Sequence, residues 1–162
     1  MMRTDARTVA NSRPAETSGA AGDRADGKRQ SVGETSAQRL LSLVIPTRNE
    51  AGNIEELVSR IERATAGFPA EIIFVDDSTD DTPAVVSEVS RRSRLPVSLI
   101  HRPPESRGNG LGGAVVEGMR AATGEWVCVM DADLQHPPEV IPSLLERARR
   151  TGAEIVVASR YA

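Results

Sequence analysis

Aromatic residues are nearly missing from this chain. Among its 162 residues only Phe68, Phe74, Trp126 and Tyr161 are of that kind. So few rings argue against a stacking platform for single-stranded nucleic acid. There is no excess of base either: the formal net charge is −3, so no broad basic surface for nucleic acid is implied. Cysteine occurs once, as Cys128. One cysteine permits no internal disulfide, which fits a reducing compartment. It lies inside an apolar run with no basic neighbour in sequence, so it reads as a small core residue rather than a nucleophile. No apolar run approaches the length of a membrane span. The first residues also lack the apolar core of a secretory leader, and none is expected. What is left is enough chain for one domain of ordinary size.

The chain divides near residue 39. Residues 1–39 are rich in Ala, Gly, Ser and Thr, with seven basic residues against five acidic ones. Such a composition buries too little apolar surface to offset chain entropy, and the reading is a disordered tail over 1–39. From residue 40 to 162 apolar runs alternate with helical periodicity. Strands are predicted over Leu41–Pro46, Glu71–Asp76, Pro96–His101, Trp126–Met130 and Glu154–Ser159. Ile54, Leu57, Val58 and Ile61 mark one helix, with Asn53 and Glu56 placed as a capping box. Thr82-Pro83 reads as a cap with Pro at the first helical position. Leu111, Ala114, Val115, Gly118, Met119 and Ala122 share a helical face, as do Val140, Ile141, Leu144, Leu145 and Ala148. Alternating β and α units predict an α/β fold with a mostly parallel sheet covered on both sides.

The stretch Glu125–Glu139, EWVCVMDADLQHPPE, carries the most chemistry. Its apolar run ends abruptly in Asp131-Ala132-Asp133. In extended backbone, residues i and i+2 point to one side. Two carboxylates would then converge at the carboxyl end of a buried strand, the edge where open α/β sheets bind ligands. Like charges in that position call for a cation between them. Hard oxygen ligands suit Mg²⁺ or Mn²⁺, and Gln135 offers one more oxygen. His136 sits beside this motif and reads as a residue that orients the loop. A solvated acidic turn is the plainer alternative for any isolated D-x-D.

Other predicted strand ends are polar too: Pro46-Thr47-Arg48-Asn49-Glu50, Asp76-Asp77 and Ser159-Arg160-Tyr161. In a parallel sheet these ends share one edge and gather around one crevice. A competing signal is Gly108-Asn109-Gly110-Leu111-Gly112-Gly113, which contains G-x-G-x-x-G before a helix, with Asp131 18 residues beyond Gly113. Residues 102–107 separate these glycines from the preceding strand, whereas a dinucleotide fingerprint needs them tight against it. The glycines still permit close backbone approach, and Arg107 is a candidate phosphate contact, an ordinary exposed loop arginine being the plainer alternative.

The segments LVIPTRNEAGNI, IIFVDDSTDDT, GLGGAVVEGMRAATGEWVCVMDADLQHPPEVIP and VVASRY resemble family 2 glycosyltransferases of GT-A fold, the dolichyl- or polyprenyl-phosphate mannosyltransferases above all. The resemblance runs from about Leu41 to Tyr161. It implies a nucleotide-sugar donor, usually GDP-mannose, a divalent metal (Mg²⁺ or Mn²⁺) and a polyprenyl-phosphate acceptor. It implies that Pro46, Arg48, Glu50, Val75 and Asp77 line the nucleotide pocket. Asp131, Ala132 and Asp133 would hold the donor sugar and diphosphate. Asp133 and Gln135 would ligate the metal, and Arg160 would approach the phosphates. Asp131, Asp133 and Arg160 are the expected catalytic residues.

The chain departs from the family pattern in three places. Arg48 stands where the family usually has Tyr, and Ser78-Thr79 stands where it often has Gly-Ser. Family members also continue past the position of Ala162 with an acceptor-facing segment. The expectation is therefore of a cytoplasmic enzyme, held at the membrane surface through that further segment, whose present residues bind donor and transfer sugar poorly. Two other classes remain open: a donor-binding or regulatory module without turnover, and a nucleotidyltransferase.

Overall fold

A computed structural model describes residues 1–3 and 40–159. In chain order its elements are β1 (Met2–Arg3), β2 (Leu41–Thr47), α1 (Ile54–Ala64), β3 (Ala70–Asp76), α2 (Thr82–Arg92), β4 (Val97–His101), α3 (Gly110–Ala121), β5 (Trp126–Val129) and α4 (Ile141–Thr151). Short 3-10 turns at Pro104–Ser106 and Pro138–Val140 precede α3 and α4.

The sheet order is β1-β5-β2-β3-β4. β2 pairs in parallel with both β3 and β5, and β3 pairs in parallel with β4. The chain thus builds outward from β2 through β3 to β4, then returns to the other side of β2 as β5. That reversal opens a crevice beyond the carboxyl ends of β2 and β5, the usual ligand site of an open parallel sheet.

Side chains alternate between the two faces, as the pleat requires. Leu41, Leu43, Ile45, Ile72, Phe74, Trp126 and Cys128 pack with Ile54, Leu57 and Ile61 of α1 and with Ile141, Leu145 and Ala148 of α4. Val44, Ile73, Val75 and Val127 face Ala114 of α3. Both faces are covered, so the central strands read as unbroken apolar runs. Cys128 lies in the first layer, and burial pushes its thiol above the ordinary value. It is a core residue, as its sequence context predicts.

α3 sits close on the sheet because Gly118 has no side chain. A Cβ built there would lie 2.4 Å from Val44 Cγ1 and 3.0 Å from Val75 Cγ2. Overpacking of this kind costs about 1–3 kcal/mol, and alanine's better helix propensity offsets about 1 kcal/mol. Gly118→Ala is therefore expected to lower the melting temperature, although glycine-to-alanine in a helix ordinarily raises it. Thermal unfolding followed by circular dichroism measures the sign.

Several boundaries differ from the sequence reading. Residues 154–159 form no strand of their own; Ile155 makes one isolated bridge, to Met2. The reason is that β1 occupies the edge of β5 in antiparallel pairing, Met2 opposite Val127 and Arg3 opposite Trp126. Residues 154–156 bond to the outer side of β1 instead, with Arg3 N–H donating to Glu154 O at 3.2 Å and Val156 N–H to Met1 O at 3.0 Å. Met1–Arg3 is thereby ordered within what reads as a structureless tail; residues 4–39 lie outside the described residues. The Asn53–Glu56 capping box is not formed, because the Asn53 amide donates to Glu50 Oε2 at 2.7 Å. The cap of α2 is Asp81 rather than Thr82. Leu111 is 64 % exposed rather than in the core face of α3.

Candidate active site

The carboxyl ends of β2, β3 and β5 and the start of α3 surround a cavity of ≈ 320 Å³. Its lining is Pro46, Thr47, Arg48, Glu50, Asp77, Gly110, Leu111, Ala114, Asp131, Ala132 and Asp133. Its size is at the lower end for a small-molecule site. A larger hollow, ≈ 480 Å³, lies between α4 and Phe68 and brings together Glu146, Arg149 and Arg150 without a carboxylate pair.

β5 ends at Val129, and the chain leaves the sheet as Met130 N–H donates to Val44 O at 3.2 Å. Asp131 and Asp133 then both line the cavity, as does Ala132 between them, in a bend rather than in the extended backbone that the i, i+2 argument assumed. Leu134 turns the loop with φ +62°, a left-handed conformation that bulky residues rarely adopt. Its side chain packs on the core, which holds the turn in place. Asp133 Oδ1 accepts Gln135 N–H at 3.0 Å. His136 Nδ1 lies 3.5 Å from Asp131 Oδ2. Among the described residues no lysine or arginine pairs with either aspartate.

That donor set fits a hard divalent cation: two carboxylates at a cavity mouth, without an arginine or lysine between them. Mg²⁺-type ions commonly take one or two carboxylates and complete their shell with water and substrate phosphate. Among the described residues no cluster of three or more His, Cys, Asp or Glu is arranged to hold a metal alone. Asp131 and Asp133 would be the protein's share. Gln135 is exposed and its side chain is not part of the lining.

Two loops frame the opposite end. Asp76 is fully buried and holds them from below. Thr47 Oγ1 donates to its Oδ1 at 2.7 Å, and Ser78 Oγ donates to the same oxygen. Ser78 N–H reaches Oδ2 at 3.2 Å, and His101 Nδ1 lies 2.7 Å from Oδ2. Ser78 Oγ also accepts Asn49 N–H at 2.8 Å, and Thr82 Oγ1 accepts Glu50 N–H at 2.9 Å. Asn49 Oδ1 accepts Thr79 N–H at 3.0 Å. Asn49 has φ +60°, which asparagine tolerates. The loop after β2 is thus buttoned to the loop after β3, and Arg48 and Glu50 are set beside Asp77.

Asp77 is paired. Arg102, 2 % exposed, binds it with both arms of its guanidinium, Nε to Oδ1 at 2.8 Å and an Nη to Oδ2 at 2.5 Å. The hydrogen bonds to Asp77 raise the Arg102 pKa above its usual value. Arg107, a candidate phosphate contact by sequence, donates to the carbonyls of Arg102 at 3.0 Å and Ser78 at 3.1 Å.

The outer side of the Asp131 loop is tied down by Arg60 of α1. Its guanidinium forks onto Glu139 at 2.9 and 2.6 Å. The Arg60 hydrogen bond lowers the Glu139 pKa to about 2. A depressed acid contributes its stabilisation above its unfolded value and loses it as pH falls through the folded one. The stability difference between wild type and Glu139→Gln should therefore hold at neutral pH and shrink between about pH 4.5 and pH 2, as read by urea unfolding at each pH.

Of the residues that the resemblance implies, Pro46, Arg48, Glu50, Asp77, Asp131, Ala132 and Asp133 line this one cavity. Val75 does not reach it with its side chain, being fully buried under α3. Arg160 lies outside the described residues. Gly110, Leu111 and Ala114 were missed as lining; the glycine-rich stretch was their signal. Asp76 was read as a polar strand end at the crevice but not as the buried anchor of two loops, and Arg102 was read only as part of the loop before the glycines.

The sequence model of "Glycosyl transferase family 2" matches residues 42–162. The chain belongs to that family. It is 49 % identical over 122 residues to the dolichol-phosphate mannosyltransferase of Pyrococcus furiosus, across 75 % of this chain and 33 % of that protein. A mannosyltransferase from Pyrobaculum calidifontis, solved with GDP-Man and Mn²⁺, shares the fold with TM-score 0.55 and 29 % identity, over 67 % of this chain and 31 % of the other. Glucosyl-3-phosphoglycerate synthase from Mycobacterium tuberculosis, solved with Mn²⁺, UDP and glucosyl-3-phosphoglycerate, matches with TM-score 0.54 and 28 % identity, over 68 % and 39 %. The chain spans about a third of the length of the curated relative from Pyrococcus. This family 2 chain has the GT-A architecture: a mostly parallel sheet with a D-x-D loop at its carboxyl edge. Among its described residues no helix is long and apolar enough to cross a membrane.

Proposed function

We propose that this chain is the donor-binding part of a metal-dependent, inverting glycosyltransferase that moves mannose from GDP-mannose to a polyprenyl or dolichyl phosphate at the cytoplasmic face of a membrane. The observation that carries this reading is the convergence of Asp131 and Asp133 with Asp77 on one cavity at the switch point of the sheet. The relatives named for dolichol phosphate and for GDP-Man with Mn²⁺ support the choice of lipid, sugar and ion.

The cavity has two chemically distinct ends. An ionised carboxylate accepts hydrogen bonds and repels phosphate, so Asp77 suits the nucleobase. The diphosphate would then lie toward Asp131 and Asp133, which would hold the divalent ion; Gln135, whose side chain is outside the lining, would reach it only by a change of rotamer. A bound Mg²⁺ or Mn²⁺ would act there as a Lewis acid for the departing diphosphate. Arg160 would add positive charge on the same side. Pro46, Arg48, Glu50 and the backbone at Val75 would border the nucleoside. An acceptor phosphate oxygen attacks the anomeric carbon as the bond to the diphosphate breaks, and the centre inverts. The attacking oxygen is already anionic, so no general base is needed, and His136 serves to orient Asp131.

Product analysis tests the reading. Incubation with radiolabelled GDP-mannose, Mn²⁺ and polyprenyl phosphate in detergent micelles should give GDP and labelled lipid. Pyrophosphate release from a sugar phosphate and nucleoside triphosphate would instead indicate a nucleotidyltransferase. Donor binding without any product would indicate a binding module.

A further inference from the structure

Arg102 directly follows β4 and is almost completely buried, yet it is charged and hydrogen-bonds two residues of the cavity lining, Asp77 and Gly110. Both arms of its guanidinium lie on the two Asp77 oxygens, and the same Nη that meets Oδ2 also donates to Gly110 O at 3.0 Å. Its other Nη faces Glu117 of α3 at 4.0 Å. Arg107 Nε stands 3.8 Å from Asp77 Oδ1. One side chain therefore joins the loop after β3 to the first turn of α3, on either side of the cavity. Burying a cation is costly unless it is paired and fully hydrogen-bonded, and here its partners are two walls of the proposed donor site.

We propose that Arg102 is a positioning residue that sets nucleobase selectivity through Asp77. The inference rests on the donor-site reading above. A planar fork fixes both the position and the rotation of the carboxylate, which a lysine's point charge does not. Fork binding occupies one lone-pair direction on each oxygen of Asp77, a residue of the cavity lining, and leaves acceptor capacity on both. A carboxylate bound in this way offers only acceptors to the cavity. A base with a ring N–H, such as guanine or uracil, can donate to a carboxylate held in this way. Adenine and cytosine present an acceptor ring nitrogen beside their amino group and set it against the second oxygen. Unpaired acceptors facing one another are what make such sites selective. The bond to Gly110 holds the α3 wall at the same distance from Asp77, so the fork sets both contacts together.

Calorimetric titration with Mn²⁺ present tests this, using GDP, UDP, ADP, CDP and inorganic pyrophosphate as probes. Wild type should prefer GDP or UDP over ADP and CDP by at least about tenfold. Arg102→Lys should erase that ratio and leave pyrophosphate binding unchanged, because Asp131 and Asp133 lie on another loop. A purely structural role would weaken all probes alike. Where Arg102→Lys does not fold, Gly113→Ala serves the same purpose: its Cβ would lie 3.0 Å from the Arg102 Nη outside the fork and 2.5 Å from Gly108 O, so the guanidinium and the loop before α3 must both shift with the charge in place. A variant that keeps the wild-type ratio overturns the inference, as does a wild type that binds pyrophosphate without preference among bases. A wild type that binds none of the five overturns the donor-site reading itself.

Discussion

Asp133→Asn is expected to weaken Mn²⁺-dependent binding of a nucleoside diphosphate by on the order of a hundredfold or more, with little change in melting temperature. Loss of an outer-shell partner alone costs about 10- to 100-fold in metal affinity, and Asp133 is proposed as a direct ligand. Its side chain makes one local bond, to Gln135 N–H, which an amide oxygen also accepts. The fold therefore has little to lose. Cys128→Ala is the matched control: a buried core truncation that lowers stability and leaves the cavity alone. Calorimetry for affinity and scanning fluorimetry for stability separate the two. An Asp133→Asn protein that binds GDP in Mn²⁺ as tightly as wild type would remove this residue from the metal site.

Asp76→Ala is expected to be the most destabilising single change at the site. The carboxylate is fully buried and receives Thr47, Ser78 twice and His101. Hydrogen bonds to a charged group are worth about 1.5–3 kcal/mol each, and donors left unsatisfied add their desolvation penalty. These bonds share one acceptor and do not add fully. A loss of about 3 kcal/mol is expected from the donors left without an acceptor. In a domain of this size that lowers the melting temperature by roughly 10 °C or more. The effect should reach the cavity, because Ser78 Oγ also holds Asn49. Nucleotide affinity should fall even where the variant remains folded. A stable Asp76→Ala protein with unchanged affinity would show that the two loops hold themselves.

The sequence carries the parallel core well, because β2, β3 and β5 are covered on both faces and each reads as one apolar run. The D-x-D loop was legible for the same reason: charge follows directly on a buried strand. The 154–159 segment was not, since its apolar alternation looks like a strand but the edge it would join is taken by Met2–Arg3. No local pattern announces a pairing across more than 120 residues. Val75 shows another limit, as a valine one residue short of the strand end turns its side chain into the core under α3. The role of Arg102 escaped, and Asp76 was read only as a polar strand end at the crevice, because their importance is in their partners. An arginine after a strand and the first of two aspartates look like ordinary loop polarity until the fold buries them. The glycine-rich stretch was rightly separated from a dinucleotide fingerprint, yet its Gly110 belongs to the site.

The central claim is that this cavity binds a nucleotide sugar through a divalent ion held by Asp131 and Asp133. The most direct measurement is calorimetric titration of the chain with GDP-mannose, with Mn²⁺ and again after chelation. The account predicts saturable one-to-one binding with the ion and its loss when the ion is removed, since the diphosphate and the two carboxylates then repel. Equal affinity in the presence and absence of the ion would contradict it.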